Sequence, residues 1–342
     1  MEPYYYSTLP KPQQGVYHDL KAGLLALAPA IAVDRLDFPV LGEILLKLRL
    51  DCPEIFYVPG CSYRYHPSGS SVEVVPEYLF DRGKIRTHRQ ALSARVEKLV
   101  RPLRDKPPLE QERYIHDFIC ANVRYDKLKK PYSHEILGAL GQGVSVCEGT
   151  AKAVKALCDA LGLWCIVAMC GNNPDKGIRY RHTWNILRLN GQYYHLDATF
   201  DSTLSGPGGI RYDYFNLDDT ALFRDHEPVL FPVPACTDSR QSWYRANKLA
   251  FTTREQVLNR AAQAMRKGRT LIFQWRGDYL TRERLMELCD LLERTAAERG
   301  RHARVRLNWP QSVLEVRFPQ APEGAILTAQ QANEGEETDN TP

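Results

Sequence analysis

The stretch HTWNILRLNGQYYHLDATFD, residues 182–201, decides how this chain is read. At its centre Asn190-Gly191 is a strong two-residue hairpin signal, because a type I′ turn needs positive φ at both central positions and Asn-Gly supplies it at least cost. The flanking residues predict strands over 182–189 and 192–199. A two-residue turn sets the register, so that Leu189 opposes Gln192 and, counting outward, Trp184 opposes Asp197. Side chains two apart share a face, which makes His182 and Asp197 diagonal neighbours with Cα atoms roughly 7 Å apart. An imidazole and a carboxylate can meet there, the carboxylate holding the ring's tautomer and favouring imidazolium.

Working outward toward the N-terminus, Gly143-Val144-Ser145-Val146-Cys147-Glu148-Gly149 runs from a glycine-bearing loop into a helix predicted over about 147–161, followed by a strand over 163–170. A cysteine at a helix N-terminus sits where the dipole favours thiolate and where backbone N–H groups can meet a developing oxyanion. A cysteine taken alone is more often a buried packing residue. The joint placement of Cys147, His182 and Asp197 is what points to nucleophilic thiol chemistry. Rival groups lack such support. His195 shares the face of Asp197 but lies nearer the turn, and Cys158, Cys165 and Cys170 read as packing residues. The pair His116-Asp117 has no further spaced ligands. No CxxC pair offers a zinc site, and Gly141-Gln142-Gly143 lacks the rest of a phosphate-binding fingerprint.

Three segments in order resemble the transglutaminase-like superfamily, within the papain-like fold: Val146-Cys147-Glu148-Gly149-Thr150-Ala151-Lys152-Ala153, His182-Thr183-Trp184-Asn185, and Tyr193 to Asp201. The resemblance extends over roughly Leu109 to His226. It implies an α+β fold with a nucleophile helix packed on an antiparallel sheet. It also implies Cys147 as nucleophile, His182 as general base and acid, and Asp197 as the orienting carboxylate. Thr150 stands where many members have an aromatic residue and Thr183 where a small residue is usual. Gln142 is a candidate second donor to the oxyanion. The activity implied is cleavage or transfer of an amide acyl group through a thioester; the resemblance does not choose between the two, and the absence of a visible secretory signal and of calcium-loop motifs places peptidase or amidase ahead of protein-glutamine acyltransferase. The alternative is a non-catalytic peptide-binding scaffold on the same fold.

The rest of the chain frames this core. Its 342 residues suggest more than one module. A mixed helix and strand region is expected over 1–108, the core over 109–235, a small α/β accessory domain over 243–319, and a disordered tail over 320–342, which lacks aromatics and periodicity. Strands are predicted at Glu54–Val58 and Ser71–Val75, and the apolar run Gly23–Val33 reads as a buried helix too short to span a bilayer. The net charge of +4 comes from 45 basic and 41 acidic residues dispersed along the chain. That dispersal argues against nucleic acid as a partner; the resemblance implies a protein or peptide substrate. No cofactor, metal or membrane association is expected. Nine cysteines and no visible secretory signal in MEPYYYSTLP suggest reduced thiols and a cytoplasmic location, and the resemblance is to bacterial members of the superfamily.

Overall fold

A computed structural model of the chain describes residues 2–65 and 69–320. The tail expected over 320–342 lies, from residue 321 onward, outside the described residues. The chain divides into two compact units, Met1–Lys248 and Leu249–Pro342.

The first unit opens with α1 (Tyr4–Ser7), α2 (Lys11–Leu25), β1 (Ile31–Asp34) and α3 (Phe38–Asp51). Both α2 and α3 carry proline in their first turn, where its missing N–H would have no helical partner in any case. Strands β2 (Gly60–Tyr65) and β3 (Ser71–Glu77) complete a three-stranded antiparallel sheet in the order β1-β3-β2. Two local expectations change here. The apolar run Gly23–Val33 is not one helix, because α2 stops at Leu25, Leu27 takes φ 57°, and the chain emerges past Pro29 as β1. Glu54–Val58 forms turns rather than a strand. Its Ile55, Phe56, Tyr57 and Val58 are all buried, so the run has no alternation to lie on a sheet with one open face.

Helices α4 (Arg82–Val100) and α5 (Pro108–Asn122) turn Leu92 and Leu99, and Ile115 and Ile119, into the interior. The short parallel pair β4 (Arg124–Tyr125) and β5 (Val144–Ser145) then delivers the chain to α6 (Cys147–Leu161). Gly162, at φ 73°, ends α6, and the Leu163 N–H turns back to the Cys158 carbonyl at 2.9 Å. Strands β6 (Cys165–Met169), β7 (Thr183–Leu189) and β8 (Gln192–Leu196), helix α7 (Ala198–Leu204), strand β9 (Phe215–Leu217) and the short helices α8 (Asp219–Leu222) and α9 (Trp243–Ala246) complete the unit. The four strands form an antiparallel sheet in chain order. At the β7–β8 turn Asn190 and Gly191 take φ 50° and 81°, and Leu189 opposes Gln192. Asn185 of β7 donates through Nδ2 to the Ala151 carbonyl of α6 at 2.9 Å, tying sheet to helix. The largest apolar cluster of this unit runs through Leu24, Leu48, Tyr57, Val74, Ile119, Val154 and Phe215, and a second packs Ile166, Trp184, Ile186 and Leu217 on the sheet. The architecture is α+β, a helix beginning at Cys147 packed on an antiparallel sheet.

The second unit comprises β10 (Ala250–Phe251), α10 (Arg254–Arg266), β11 (Leu271–Trp275), α11 (Arg282–Ala297), β12 (Arg304–Asn308) and β13 (Val313–Arg317). Thr253 and Gln256 form a reciprocal capping box at α10, and Thr281 caps α11. The sheet runs β10-β11-β13-β12, with Phe273, Leu314 and Val316 packed against Val257, Ala261, Leu288 and Leu292 of the two helices. Among the described residues of the chain, no helix is long and apolar enough to cross a membrane.

Candidate active site

Cys147 is the first residue of α6. The preceding N-cap position is Val146, in extended conformation and without a side-chain acceptor, so no cap covers the first-turn N–H groups. Beneath the helix start lies a buried ionic cluster. The Lys152 ammonium, fully buried, lies 2.9 Å from Glu135 and 2.8 Å from Glu148, while Arg49 reaches the same two carboxylates at 2.7 and 3.3 Å. His134 adds a contact to Glu148 at 3.2 Å. Burial opposes the charge on Glu148, but Lys152, His134 and Arg49 outweigh it and hold the carboxyl well below the usual range. Gly149 is required by close approach: a Cβ there would lie 2.4 Å from the Ser133 carbonyl oxygen and 2.5 Å from Ser145 Oγ.

His182 precedes β7 by one residue and Asp197 follows β8 by one. The strand predicted over 192–199 therefore ends at Leu196. The Asp197 N–H turns to the Tyr214 carbonyl at 3.0 Å, and the Asp197 side chain caps α7. Its Oδ1 accepts from the Thr199 and Phe200 N–H groups at 2.9 and 3.0 Å. Its Oδ2 accepts from His182 Nε2 at 2.5 Å and from His226 Nε2 at 3.0 Å. Helix cap and histidine partner are thus two oxygens of one buried carboxylate, whose pKa is strongly depressed: burial raises it, and His182 and His226 more than compensate.

His182 stands between Asp197 and the thiol. Burial disfavours its charged form, but the Asp197 charge and hydrogen bonds to Asp197 and Cys147 hold its pKa well above the ordinary value. The Cys147 thiol is held below its ordinary value: burial raises it, and hydrogen bonding to His182 and the His182 charge outweigh that. Thr183, a departure from the family pattern, is buried at the start of β7. Cys147 and His182 are partly exposed, whereas Asp197 is buried.

Other groups noted in the sequence lie elsewhere. His195 is buried between Trp184 Nε1, 3.0 Å away, and Asp219 Oδ1, 2.8 Å away. His116 bonds Asp201 at 3.0 Å and Asp117 at 3.1 Å, and Asp201 also accepts from the Tyr214 N–H. Gln142 is exposed and lines a cleft of about 450 Å³ with His88, Leu92, Arg95 and Phe118. No triad residue lines that cleft. His226 escaped the sequence reading: it sits in a loop 29 residues beyond Asp197, with no periodicity to mark it. Its Nδ1 lies 2.9 Å from Asp225, and its two carboxylate partners outweigh burial to raise its pKa.

Among the described residues two groups could converge on a metal, His182 with Asp197 and His226, and His195 with Asp219 and Cys236. In the first, the Asp197 oxygen already accepts from both rings, and in the second Asp219 already pairs His195 and the Cys236 N–H. Internal hydrogen bonding accounts for both.

Residues 97–198 match the family model described as the transglutaminase-like superfamily. No curated protein matches the chain. Among solved structures, the chain is similar to a TGase at 10% identity, covering 50% of each chain with a TM-score of 0.29. It is similar to the "Putative Cysteine Protease from Cytophaga hutchinsonii" at 14% identity, covering 41% of this chain and 61% of that one, with a TM-score of 0.26. A third is menin, in a structure described as revealing its binding site for the Mixed Lineage Leukemia protein, at 13% identity over 84% of this chain and 52% of that one, TM-score 0.28. The match thus spans less than two thirds of each of these chains. The protein carries a transglutaminase-like domain, matched over residues 97–198.

Proposed function

We propose that the protein is a cysteine enzyme that attacks an amide carbonyl with Cys147 and forms a thioester, with His182 moving the proton and Asp197 setting the ring. The observation that carries this reading is the chain of contacts from the helix-borne thiol through His182 to Asp197, with the thiol pKa lowered and the imidazole pKa raised. Both shifts favour the thiolate and imidazolium forms of the pair, the forms that nucleophilic attack needs.

The steps follow from that arrangement. The Cys147 thiolate adds to the carbonyl carbon, and the oxyanion forms beside the uncapped N-terminus of α6, where the Cys147 N–H and the helix dipole oppose its charge. His182 then gives its Nδ1 proton to the departing amine, the C–N bond breaks, and the thioester remains. Water, deprotonated by His182, attacks the thioester and releases the acid and the thiolate. An amine in place of water would make the exchange a transamidation. We place hydrolysis first, since water is the acceptor present at any open thiol site.

The test compares peptides and lysate proteins exposed to the intact protein and to Cys147→Ala, scored by mass spectrometry for new termini, deamidation and cross-links. New termini or deamidation made only by the intact protein would support hydrolysis, and cross-links made only by it would move the reading to acyl transfer. Identical product sets from both proteins would overturn it.

A further inference from the structure

We propose that the acyl substrate is an acidic peptide segment, held by two basic loops that flank the Cys147–His182 pair; this rests on the thiol chemistry proposed above.

The first loop is anchored directly to the nucleophile's approach. Strand β4 pairs with β5 so that Tyr125 opposes Ser145, two residues before Cys147, and the Asp126 N–H donates to the Ser145 carbonyl at 3.0 Å. The chain then continues through Lys127, Leu128, Lys129 and Lys130, all exposed. The second loop, residues 171–181, leads into His182 and ends Arg179-Tyr180-Arg181, again all exposed. The two loops meet: the Lys129 Nζ lies 3.4 Å from the centroid of the Tyr180 ring. Tyr125 feels the Cys147 charge, which, after burial, helps to raise its pKa and agrees with its place beside the thiol.

Charge on these loops is one-sided. Arg124, Lys127, Lys129, Lys130, Arg179 and Arg181 are exposed bases. Asp126 is turned inward, its carboxylate accepting from the Leu128 and Lys130 N–H groups and from Ser133 Oγ. Lys176 is paired with Glu227 at 2.7 Å. Glu148, next to the thiol, is occupied by Lys152, Arg49 and His134. Asp175 is the one exposed acid on the two loops. Between the bases stand large exposed side chains, Leu128 at 77%, Tyr180 at 68% and Tyr125 at 45%. Six exposed bases on the loops that lead to Ser145 and to His182 raise the local concentration of an anionic partner there. The interspersed Leu and Tyr give apolar contact to a peptide's side chains. An amide carbonyl for Cys147 to attack, with acidic residues beside it, satisfies all three features.

The experiment measures alkylation of Cys147, by peptide mass spectrometry, with anionic iodoacetate and with neutral iodoacetamide. It uses the full chain and the combined variant Lys127→Gln, Lys129→Gln, Arg179→Gln, Arg181→Gln. His182 draws iodoacetate in both proteins, so its effect cancels when their rate ratios are compared. At low salt the iodoacetate-to-iodoacetamide ratio should fall about fivefold in the variant, the summed effect of four charges acting through water over roughly 10 Å. At 0.5 M salt the difference should largely vanish. If the combined variant does not fold, Lys127→Gln and Arg181→Gln alone should each lower the ratio by about 1.5-fold. A second arm measures binding of an acidic peptide and its Gln/Asn counterpart to Cys147→Ala, where the acidic form should bind at least several-fold tighter at low salt. An unchanged ratio with a fast-reacting Cys147 overturns the substrate class and leaves the thiol reading standing. A Cys147 that reacts with iodoacetamide no faster than the other eight cysteines defeats the thiol reading itself. Preference of Cys147→Ala for a single-stranded oligonucleotide over the acidic peptide would also overturn the proposal.

Discussion

Asp197→Asn should disable the site by relocating one proton while leaving every heavy atom in place. In the native protein Oδ1 accepts two N–H groups from the start of α7, and Oδ2 accepts from the two imidazoles of His182 and His226. Asparagine has one acceptor oxygen, and the helix start will take it, since the reverse orientation would face an NH₂ against two N–H donors; Asn caps helices about as well as Asp. The amide NH₂ then points at two ring nitrogens that are donors in the native protein. For His182 the remedy is to carry its proton on Nδ1, the nitrogen facing Cys147, where it can no longer receive the thiol's proton. The equivalent tautomer inversion in a Ser-His-Asp enzyme costs about 10⁴ in kcat, so a loss of about 10²- to 10⁴-fold is expected. The pH profile of iodoacetamide alkylation at Cys147 reads the effect directly. In the native protein the thiolate should persist below the ordinary thiol pKa of about 8.5, because the His182 interaction outweighs burial. In the variant the Asp197 charge that favours imidazolium is gone, the His182 charge that favours the thiolate weakens with it, and the midpoint should move upward. Stability carries an independent sign: a depressed Asp197 pKa means a contribution present above about pH 4 and lost as pH falls through the folded-state value, a dependence the variant should lack. An alkylation profile identical in the two proteins would refute this reasoning.

Lys152→Met should destabilise the protein by about 3–5 kcal/mol in urea titration, since Glu135 and Glu148 would be left buried with Arg49 as their main counter-charge; a cost below about 1 kcal/mol would show that the cluster is solvated. Gly149→Ala should cost about 1–3 kcal/mol, because the new methyl meets backbone oxygen at Ser133, and an unchanged midpoint of thermal unfolding would contradict that packing. Cys147→Ala should abolish turnover. His182→Ala should lower it by about 10²- to 10⁴-fold and also slow alkylation of Cys147, so a variant that alkylates at the native rate would remove His182 from the thiol's environment.

Turn chemistry and helix punctuation explain what could be read early. Asn190-Gly191 admits positive φ at both positions, and the Leu189 to Gln192 register follows from that turn alone. Gly162 stops the helix that begins at Cys147. Counting along the hairpin brought His182 and Asp197 together even though Asp197 leaves the strand one residue early, because its side chain still sits at the end of the same face. Glu54–Val58 shows where such reading fails: an apolar run between prolines has the composition of a strand, yet it is buried from all sides as turns.

The sequence by itself determined the α+β pattern, the helix that starts at Cys147, the hairpin, and the juxtaposition of His182 with Asp197, all of which depend on backbone preferences within a few residues. Only the tertiary structure decided that His226 shares the Asp197 carboxylate, and that Arg49, Glu135, Glu148 and Lys152 neutralise one another beneath the start of α6. Arg49 and Glu148 are 99 positions apart. No local period encodes such a meeting; it follows from how the helices and sheet close on one another, where a buried charge is stable only if another reaches it.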